Sequence, residues 1–446
     1  MVLKGNRVGL LSLGCKVNSC ESEQIRESLV EAGFETVDFE EFADAYIINT
    51  CSVTNIADRK SRQMLHKARK TNPEAVIIAT GCYAQISADK LTEAGDADIV
   101  IGNNHKNNIV TTLINIRENT EINRCEVDKI EDEKCMEEMA LKTYPERSRA
   151  FVKIEDGCNQ FCSYCIIPYA RGRVRSRSEE DILKEVSCLA KNGFKEVVLT
   201  GIHLSSYGNM NYERAENKNN TLLQLIKAIS LIDGIERIRL GSLEPRIITE
   251  EFAAELSKIP KFCPHFHLSL QNGCDSVLKR MNRHYTAGEF LEKCTILKKV
   301  FDRPAITTDV IVGFPGETEE EFDISKAMLE KASFAKMHIF KYSRRAGTAA
   351  DKMKGQLTEK TKHERSLILQ ELDDRNHYAY NNGFVDCDEE VLIEEKTENG
   401  FTGLTKRYVN VNINTSDTAI NVNTIVKVHI TGIEEDGTLT ADIRRQ

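Results

Sequence analysis

The stretch 150–165, AFVKIEDGCNQFCSYC, runs from an apolar segment into three closely spaced cysteines. The apolar segment, 150–154, has the length and composition of a short buried strand. The cysteines follow it directly, with the spacing CxxxCxxC. This stretch therefore predicts a strand that ends in a loop carrying three thiols.

On both sides of this stretch, apolar strands alternate with amphipathic helices. From 150 onward we predict strands at 150–154, 196–200, 237–240, 265–270, 305–312 and 336–340, followed by a polar helix at 359–380. Six strand–helix units are the count of a partial TIM-like (β/α)6 barrel. Upstream, we predict strands at 7–13, 45–49, 75–80 and 98–101 and helices at 21–32 and 57–70. That pattern favours a doubly wound parallel sheet.

The last part of the chain changes period. Residues 389–394, 408–413 and 424–430 alternate apolar with polar positions and end at turn residues, which predicts a small antiparallel β-barrel. Residues 121–146 are dominated by charge, which indicates a linker or an ordered surface crossing. The expected domains are therefore 1–145, 146–375 and 376–446.

Length and composition limit the class of protein. At 446 residues the chain suits about three domains. No uncharged apolar run reaches about 18 residues, and no small-residue cleavage site follows 8–13, so we expect a cytoplasmic protein. The 14 cysteines are too sparse for a disulfide scaffold but numerous for a cytosolic enzyme. Metal or redox chemistry is therefore favoured.

Three thiolates on one loop can hold three corners of a cubane iron–sulfur cluster. Because such clusters normally have four cysteine ligands, Cys158, Cys162 and Cys165 would leave one iron open to a small ligand. The loop follows a barrel strand, where this architecture places active sites. The alternative is a zinc knuckle or a set of buried thiols. Zinc would need a fourth Cys or His, and the next candidate is Cys188, on a predicted helix.

A second set of cysteines is not contiguous. Cys15, Cys51 and Cys82 each come just after a predicted strand of the N-terminal sheet. Parallel strands end at one edge of a sheet, so these thiols can converge on a second three-thiolate site. The alternative is that each is a small buried hydrophobic residue, which is our interpretation of the other eight cysteines.

With both triads present, the sequence resembles the methylthiotransferase branch of the radical S-adenosylmethionine enzymes over essentially its full length. The matching motifs are GCKVN (14–18), NTC (49–51), GC (81–82), EDGC through IIPYARG (155–172), TGIH (200–203), LSLQNG (268–273) and DVIVGFPGE (309–317). The segments GFTG (400–403) and YVNV (408–411) resemble the TRAM barrel, an RNA-binding module. GCKVN and TGIH are most similar to the branch that modifies N6-threonylcarbamoyladenosine in tRNA.

The resemblance implies two 4Fe-4S clusters, one on each triad, and S-adenosylmethionine as cofactor. The implied reaction is radical insertion of a methylthio group at C2 of N6-threonylcarbamoyladenosine next to the anticodon, using two S-adenosylmethionine molecules. The implied partners are tRNA, an unidentified electron donor and a sulfur source, with no membrane. No catalytic residue is implied beyond the cluster ligands. The expected cofactor contacts are Thr200, Gly201, Ser242, Glu244, Gln271, Asp309 and Gly313.

Other functions stay open on the sequence alone. Relatives of this branch act on N6-isopentenyladenosine in tRNA or on an aspartate of a ribosomal protein. A radical oxidoreductase with one cluster would use the CxxxCxxC motif without the second triad. A non-catalytic iron–sulfur or zinc protein that binds RNA would also account for the cysteines and the TRAM-like segment.

Charge predicts where RNA would bind. The chain has a formal net charge of -9, and residues 377–446 contain 12 acidic against 6 basic residues. The field of the C-terminal barrel therefore opposes phosphate binding. Better candidates are Arg171, Arg173 and Arg175, in a basic run beyond the CxxxCxxC motif, with Lys406 and Arg407 as a local exception in the barrel. The alternative for such runs is a solvated charged face.

Overall fold

The computed structural model describes residues 3–137, 148–208, 221–415 and 420–444. Its N-terminal unit contains the elements β1 Arg7–Ser12, α1 Lys16–Glu31, β2 Glu35–Val37, β3 Ala45–Thr50, α2 Asn55–Thr71, β4 Val76–Gly81, α3 Cys82–Ile86, α4 Ala88–Ala94, β5 Ile99–Ile101, α5 Asn108–Arg117 and β6 Cys125–Glu126. The strands form one sheet in the order β2-β1-β3-β4-β5-β6, and every neighbouring pair is parallel. From β1 the chain first adds β2 on one side and then β3 to β6 on the other. This reversal is typical of a doubly wound sheet, so the predicted fold of this unit is confirmed.

Two apolar layers cover the two faces of this sheet. Helices α1 and α5 pack on one face, where Ile25 and Leu113 meet strand residues such as Ile47. Helices α2, α3 and α4 pack on the other face. All six residues of β3 and of β4 are buried, which explains why these strands are continuous apolar runs.

The charged segment 121–146 begins with an ordered strand. Backbone N–H groups of Val100 and Gly102 donate to the carbonyls of Arg124 and Glu126 at 2.9 and 2.8 Å, which adds β6 to the sheet edge. Residues 138–147 of this predicted linker lie outside the described part of the chain.

The central unit contains β7 Arg149–Lys153, β8 Glu155–Asp156, α6 Ile167–Arg171, β9 Arg175–Ser176, α7 Glu179–Lys191, β10 Glu196–Thr200, α8 Thr221–Ser230, β11 Arg237–Leu240, β12 Ser242–Leu243, α9 Glu250–Ser257, β13 His265–Leu268, α10 Asp275–Arg280, α11 Ala287–Val300, β14 Ala305–Val312, α12 Glu319–Ala332, β15 Lys336–Lys341 and α13 Glu359–Asn382. Two parallel sheets, β11-β10-β7 and β12-β13-β14-β15, form its wall. A parallel bridge between Ile238 and Phe262 joins them. The six predicted barrel strands are thus present, and β7 and β15 are the edge strands.

The N-terminal unit lies across the open side of this partial barrel. At the β7 edge, Cys20 of α1 contacts the carbonyl of Phe151 at 3.2 Å. On the β15 side, the Asn55 side chain donates to the carbonyl of Arg344 at 2.8 Å, and Arg345 pairs with Asp58 at 2.6 Å. The N-terminal unit is therefore anchored at both edges of the opening.

The C-terminal unit is a closed barrel of β16 Asp388–Thr397, β17 Gly400–Thr405, β18 Asn410–Asn414, β19 Ile425–Ile433 and β20 Leu439–Ile443. Its strand order is β16-β17-β18-β20-β19. The predicted small barrel is confirmed, although β18 and β20 pair in parallel. Helix α13 leads into it and spans the predicted boundary at 375–376.

This C-terminal barrel docks at the N-terminal ends of the central strands. Arg237, the first residue of β11, is completely buried and donates to the carbonyls of Leu404 and Glu390 at 2.8 and 2.7 Å. Arg149, the first residue of β7, pairs with Glu394 at 2.6 Å. The C-terminal barrel thereby covers the central barrel at the N-terminal ends of its strands. Among the described residues, no helix has both the length and the apolar character needed to cross a bilayer.

We expect Arg237→Met to loosen this docking. The substitution leaves two carbonyl acceptors without their buried donor, which costs about 1–3 kcal/mol. The free energy of unfolding should fall by that amount, and amide hydrogen exchange in β17 should accelerate. Arg375→Met, at a side chain that is 69% exposed on α13, is the control. Unchanged exchange in β17 would contradict this account of the docking.

Candidate active site

The three N-terminal cysteines lie at one edge of the parallel sheet. Cys15 caps the start of α1, Cys51 directly follows β3, and Cys82 is the first residue of α3. A Cβ on Gly14 would lie 2.6 Å from the Sγ of Cys51, so the turn before Cys15 contacts the Cys51 thiol directly. Burial, together with the nearby Cys82 and Cys15, raises the pKa of Cys51 to about 12. The structure thus brings these predicted residues together.

The second triad occupies the loop after β8. The backbone N–H of Cys158 donates to the carbonyl of Gly172 at 3.0 Å, and that of Cys165 donates to Cys162 at 2.9 Å. Gly157, at a φ of +82°, is needed here, because a Cβ would lie 2.0 Å from the carbonyl oxygen of Arg173. The loop therefore holds the three cysteines in a fixed turn.

The two triads are neighbours. Burial raises the pKa of Cys165 to about 12, with contributions from Cys162 in its own loop and from Cys82 in the N-terminal unit. Burial also raises the pKa of Cys158, and Cys165 and Cys162 add to that shift. Each thiolate in such a group repels the others, which disfavours their ionisation. A cationic iron–sulfide core would stabilise all of them as thiolates.

Each triad receives a hydrogen bond from one arginine, which is buried at Arg171 and half-buried at Arg283. Arg171 Nε donates to the Sγ of Cys82 at 3.3 Å, and Arg283 Nη1 donates to the Sγ of Cys162 at 3.2 Å. Hydrogen bonds to ligand sulfurs stabilise the negative charge of a thiolate-bound cluster. In the described residues, no three Cys, His, Asp or Glu side chains form a group that could hold a metal ion. A cubane differs because each of its cysteines binds a separate iron, so its ligands need not converge on one metal ion.

Arg171 is the centre of a buried ion network. Its side chain is completely buried and donates to both oxygens of Glu21 at 2.8 and 3.0 Å. It also contacts Asp156 at 3.1 Å and Asn18 at 2.5 Å, besides the Cys82 sulfur. Glu21 belongs to α1, whereas Asp156 lies two residues before Cys158. One guanidinium therefore connects the two units and both cysteine sites.

Lysines complete the network around these carboxylates. Glu21 pairs with Lys153 at 2.6 Å and with Lys106 at 3.1 Å, and Lys153 also pairs with Asp156 at 2.6 Å. Burial alone would raise the pKa of Glu21, but Arg171, Lys106 and Lys153 together hold it well below its usual range. With Glu137 at its edge, the network has three carboxylates, Glu21, Asp156 and Glu137, and four cations, Lys106, Lys153, Arg171 and Arg175. Of these cations, Arg171 contacts the sulfur of Cys82.

The predicted assignment of Arg171 and Arg175 to RNA binding is wrong for this structure. Arg175 is 3% exposed and donates to the Arg171 carbonyl at 2.6 Å and to Asn104 at 3.1 Å. Neither side chain can meet a phosphate without leaving these partners. The alternating spacing suggested a basic strand edge, whereas the short β9 points inward against the N-terminal unit.

Arg173 is the exposed arginine of the predicted RNA-binding run. Its guanidinium lies 4.4 Å from the ring centroid of Phe161, and that ring makes an edge contact with Tyr169, which is half exposed. Lys406 pairs with Glu390 at 3.0 Å, and Arg407 pairs with Glu389 at 3.1 Å. Their assignment to RNA stays a prediction.

The predicted cofactor residues lie on or next to strands of the central barrel. Thr200 ends β10, Ser242 begins β12, Gln271 follows β13, and Asp309 lies within β14 with its carboxylate 3.3 Å from His267. Their contacts with S-adenosylmethionine remain predictions. Three others have partners within the protein. A Cβ on Gly201 would lie 2.7 Å from Glu155 Oε2, Glu244 accepts a hydrogen bond from Arg246 Nε at 2.7 Å, and the Gly313 amide donates to Glu317 at 2.7 Å.

Several residues of the site carried no signal in the sequence. Arg283 contacts a cysteine 121 positions away, a relation that no local spacing reveals. Glu155 is completely buried, and its Oε1 has no hydrogen-bond partner among the described residues. Burial raises the pKa of Glu155 to about 8. The sequence shows Glu155 as part of the EDGC motif, but its burial depends on tertiary contacts that the motif does not reveal.

Comparison with known proteins gives the same two units. A family model described as "Radical SAM superfamily" matches residues 152–328, and one described as "Uncharacterized protein family UPF0004" matches 7–102. The chain is 40% identical to "Threonylcarbamoyladenosine tRNA methylthiotransferase MtaB" of Bacillus subtilis, covering 95% of this chain and 93% of that protein. It is 42% identical to the protein of the same name from Aquifex aeolicus, over 84% and 89%.

More distant similarities are also present. "tRNA-2-methylthio-N(6)-dimethylallyladenosine synthase" of Thermodesulfovibrio yellowstonii is 36% identical, with 90% of each chain covered. The solved structure of TsrM from Kitasatospora setae, a radical S-adenosylmethionine methyltransferase, aligns with a TM-score of 0.58 at 14% identity, covering 78% of this chain and 77% of that one. At this identity, the alignment establishes a shared fold.

We expect Glu21→Gln to destabilise the protein by about 3–5 kcal/mol, because it leaves buried cations without their carboxylate. Since the folded pKa of Glu21 is lowered, its stabilising contribution is complete above the unfolded value of about 4.3. That contribution is lost as pH falls through the folded pKa. Denaturation of both proteins at several pH values should therefore show a full difference at pH 7 that shrinks only in acid.

Glu93→Gln, at an exposed carboxylate of α4, is the matched control and should change stability by less than about 0.5 kcal/mol. An equally small effect of Glu21→Gln would mean that the network does not hold the two units together.

Proposed function

We propose, since the chain belongs to the tRNA methylthiotransferase family of radical S-adenosylmethionine enzymes, that it inserts a methylthio group at C2 of N6-threonylcarbamoyladenosine in tRNA. The observation that carries this proposal is the pair of neighbouring cysteine triads, each with an arginine that donates to one sulfur. A single-cluster radical enzyme would not need the first triad.

The chemistry requires a radical. The hydrogen on C2 of adenine is neither acidic nor readily displaced, so acid–base groups offer no route to a carbon–sulfur bond. A cluster on Cys158, Cys162 and Cys165, with S-adenosylmethionine at its open iron, would supply the radical, and a cluster on Cys15, Cys51 and Cys82 would supply the sulfur. The finer assignments belong to the same proposal: two clusters, two S-adenosylmethionine molecules, an external electron donor and sulfur source, and a cytoplasmic location.

The protein's own contribution is position and enclosure. The ion network around Arg171 fixes the N-terminal cysteines against the CxxxCxxC loop, so that both can meet one base. The N-terminal unit covers the open side of the barrel, and the C-terminal barrel covers its far end. Exclusion of water from this interior protects a reactive radical from side reactions.

RNA would approach the exposed side of the CxxxCxxC loop. A base next to the anticodon lies in a single-stranded loop, where proteins splay bases out and stack them on aromatic or guanidinium planes. Arg173, Phe161 and Tyr169 form such a group beside the cysteines. This group replaces the buried Arg171 and Arg175 in the proposed RNA path.

We expect mutations in the two triads to have different effects on the reaction. Cys158→Ala should abolish cleavage of S-adenosylmethionine by the reduced protein. The triple variant Cys15→Ala, Cys51→Ala, Cys82→Ala should keep cleavage, bind roughly half the iron and lose sulfur insertion. Iron analysis and mass spectrometry of tRNA nucleosides measure these outcomes, and the latter identifies which adenosine loses its methylthio group.

Cys188→Ala is the control for thiol loss and should keep both iron and activity, because Cys188 lies on α7 and belongs to neither triad. Normal methylthiolation by the N-terminal triple variant would rule out the proposed division of roles.

We also expect Arg173→Ala to weaken tRNA binding through a lost phosphate or stacking contact. If the contact is to phosphate, the slope of log affinity against log salt should fall by about 0.7. Titrations across salt with Arg173→Ala and the exposed control Lys331→Ala make the comparison. Equal affinities and slopes for both variants would place the RNA path elsewhere.

A further inference from the structure

Lys16 is an unusual cation, because it occupies the first position of α1. The amino end of a helix carries partial positive charge, which disfavours a lysine there. Its side chain is exposed, and no carboxylate pairs with it anywhere in the part of the chain that the structure describes. A cation held against a helix dipole without an acidic partner is available for an anionic ligand.

The surroundings of Lys16 join the three units at one aromatic ring. Its Nζ lies 5.6 Å from the ring centroid of Tyr408, in the C-terminal barrel. The same ring stacks on His265 of β13 at 4.9 Å and lies below the guanidinium groups of Arg149 and Arg239, at 5.1 and 4.9 Å. Tyr408 also has a φ of +66°, a conformation that bulky residues rarely adopt. The fold thus holds this ring in place at some cost.

Charge pairing distinguishes Lys16 from its neighbours. Arg149 is neutralised by Glu394 at 2.6 Å and Arg239 by Glu196 at 2.7 Å. Burial and the adjacent Arg239 lower the pKa of His265 well below its usual range, so that its ring is neutral. Among the described cations around Tyr408, Lys16 is therefore the one without a carboxylate partner, and its single charge matches one monoanionic group.

The location of Lys16 points to the substrate base. It directly follows Cys15, a member of the triad that adjoins the CxxxCxxC loop. In adenine, C2 and the carbon bearing N6 both flank N1, so a substituent on N6 lies on the same edge of the base as C2. A threonylcarbamoyl group on N6 ends in a carboxylate, whereas a dimethylallyl group at that atom is neutral and apolar.

We propose that Lys16 binds the carboxylate of the threonylcarbamoyl group and so selects that substrate, an inference that rests on the proposed function. A lysine suits this task because its compact charge is carried on a flexible stem that can follow the group. Discrimination is strong when a polar site is left unpaired by the wrong substrate, as Lys16 would be by an apolar substituent. Lys16 is accordingly a specificity residue.

Binding measurements with three anticodon stem-loop RNAs test the inference. They carry N6-threonylcarbamoyladenosine, the same nucleoside with its carboxylate converted to a primary carboxamide, or unmodified adenosine. The full-length, cluster-loaded protein is compared with Lys16→Gln, Lys16→Arg and the exposed control Lys90→Gln. We expect the unsubstituted protein and Lys90→Gln to prefer carboxylate over carboxamide by about tenfold or more, as a charge-assisted bond implies. Lys16→Gln should lose that preference, and Lys16→Arg should keep much of it.

Each other outcome overturns the inference. A preference that persists in Lys16→Gln would place the carboxylate elsewhere. An equal loss of affinity for all three RNAs would mean that Lys16 binds phosphate, and a loss of S-adenosylmethionine affinity alone would assign it to the cofactor. Iron content shows whether Lys16→Gln is folded. If Lys16→Gln does not fold, the RNA preference of Lys16→Arg tests the inference in its place. Failure of the proposed function looks different: the unsubstituted protein would then not distinguish threonylcarbamoyladenosine from adenosine.

Discussion

Arg171 donates to Glu21 of the N-terminal unit, to Asp156 of the central unit and to the sulfur of Cys82, all without exposure to solvent. Burying so many charges costs desolvation free energy, and apolar residues of the same volume often give equal or greater stability. The network therefore does more than hold two units together. It fixes one cysteine triad relative to the other, because its members are anchored on the elements that carry both.

The same charges also create the environment of the cysteine sites. A three-thiolate cluster is anionic, and an apolar interior would disfavour it. The guanidinium of Arg171 on Cys82 and that of Arg283 on Cys162 offset that charge with N–H donors. Such donors around ligand sulfurs are a main determinant of cluster potential. The two sites differ in this respect, since Arg171 belongs to an extended ion network, whereas Arg283 bonds mainly to Tyr285 and the carbonyl of Ser269.

Local pattern was sufficient to predict the main elements and the convergence of the N-terminal cysteines, because both depend on short-range order and on the parallel sheet. Apolar runs located β3 and β4, and the parallel sheet rule then brought Cys51 and Cys82 to one edge. The pattern failed where tertiary contacts decide the outcome. Arg171, Arg173 and Arg175 have the same spacing and chemistry, yet the first and last are buried by Glu21 and Asn104, which lie far away in sequence. Arg283 was missed for the same reason.

This division between local and long-range order also separates chemistry from selectivity. The cysteines that would hold the clusters lie within motifs or directly after strands, so short segments of sequence are enough to predict the reaction type. The surroundings of Lys16 come instead from three units, since Arg149 belongs to the central barrel and Tyr408 to the C-terminal one. A ring held at positive φ by partners from separate units is sensitive to how those units dock. Substrate choice can therefore change through docking contacts while the cysteine motifs stay the same.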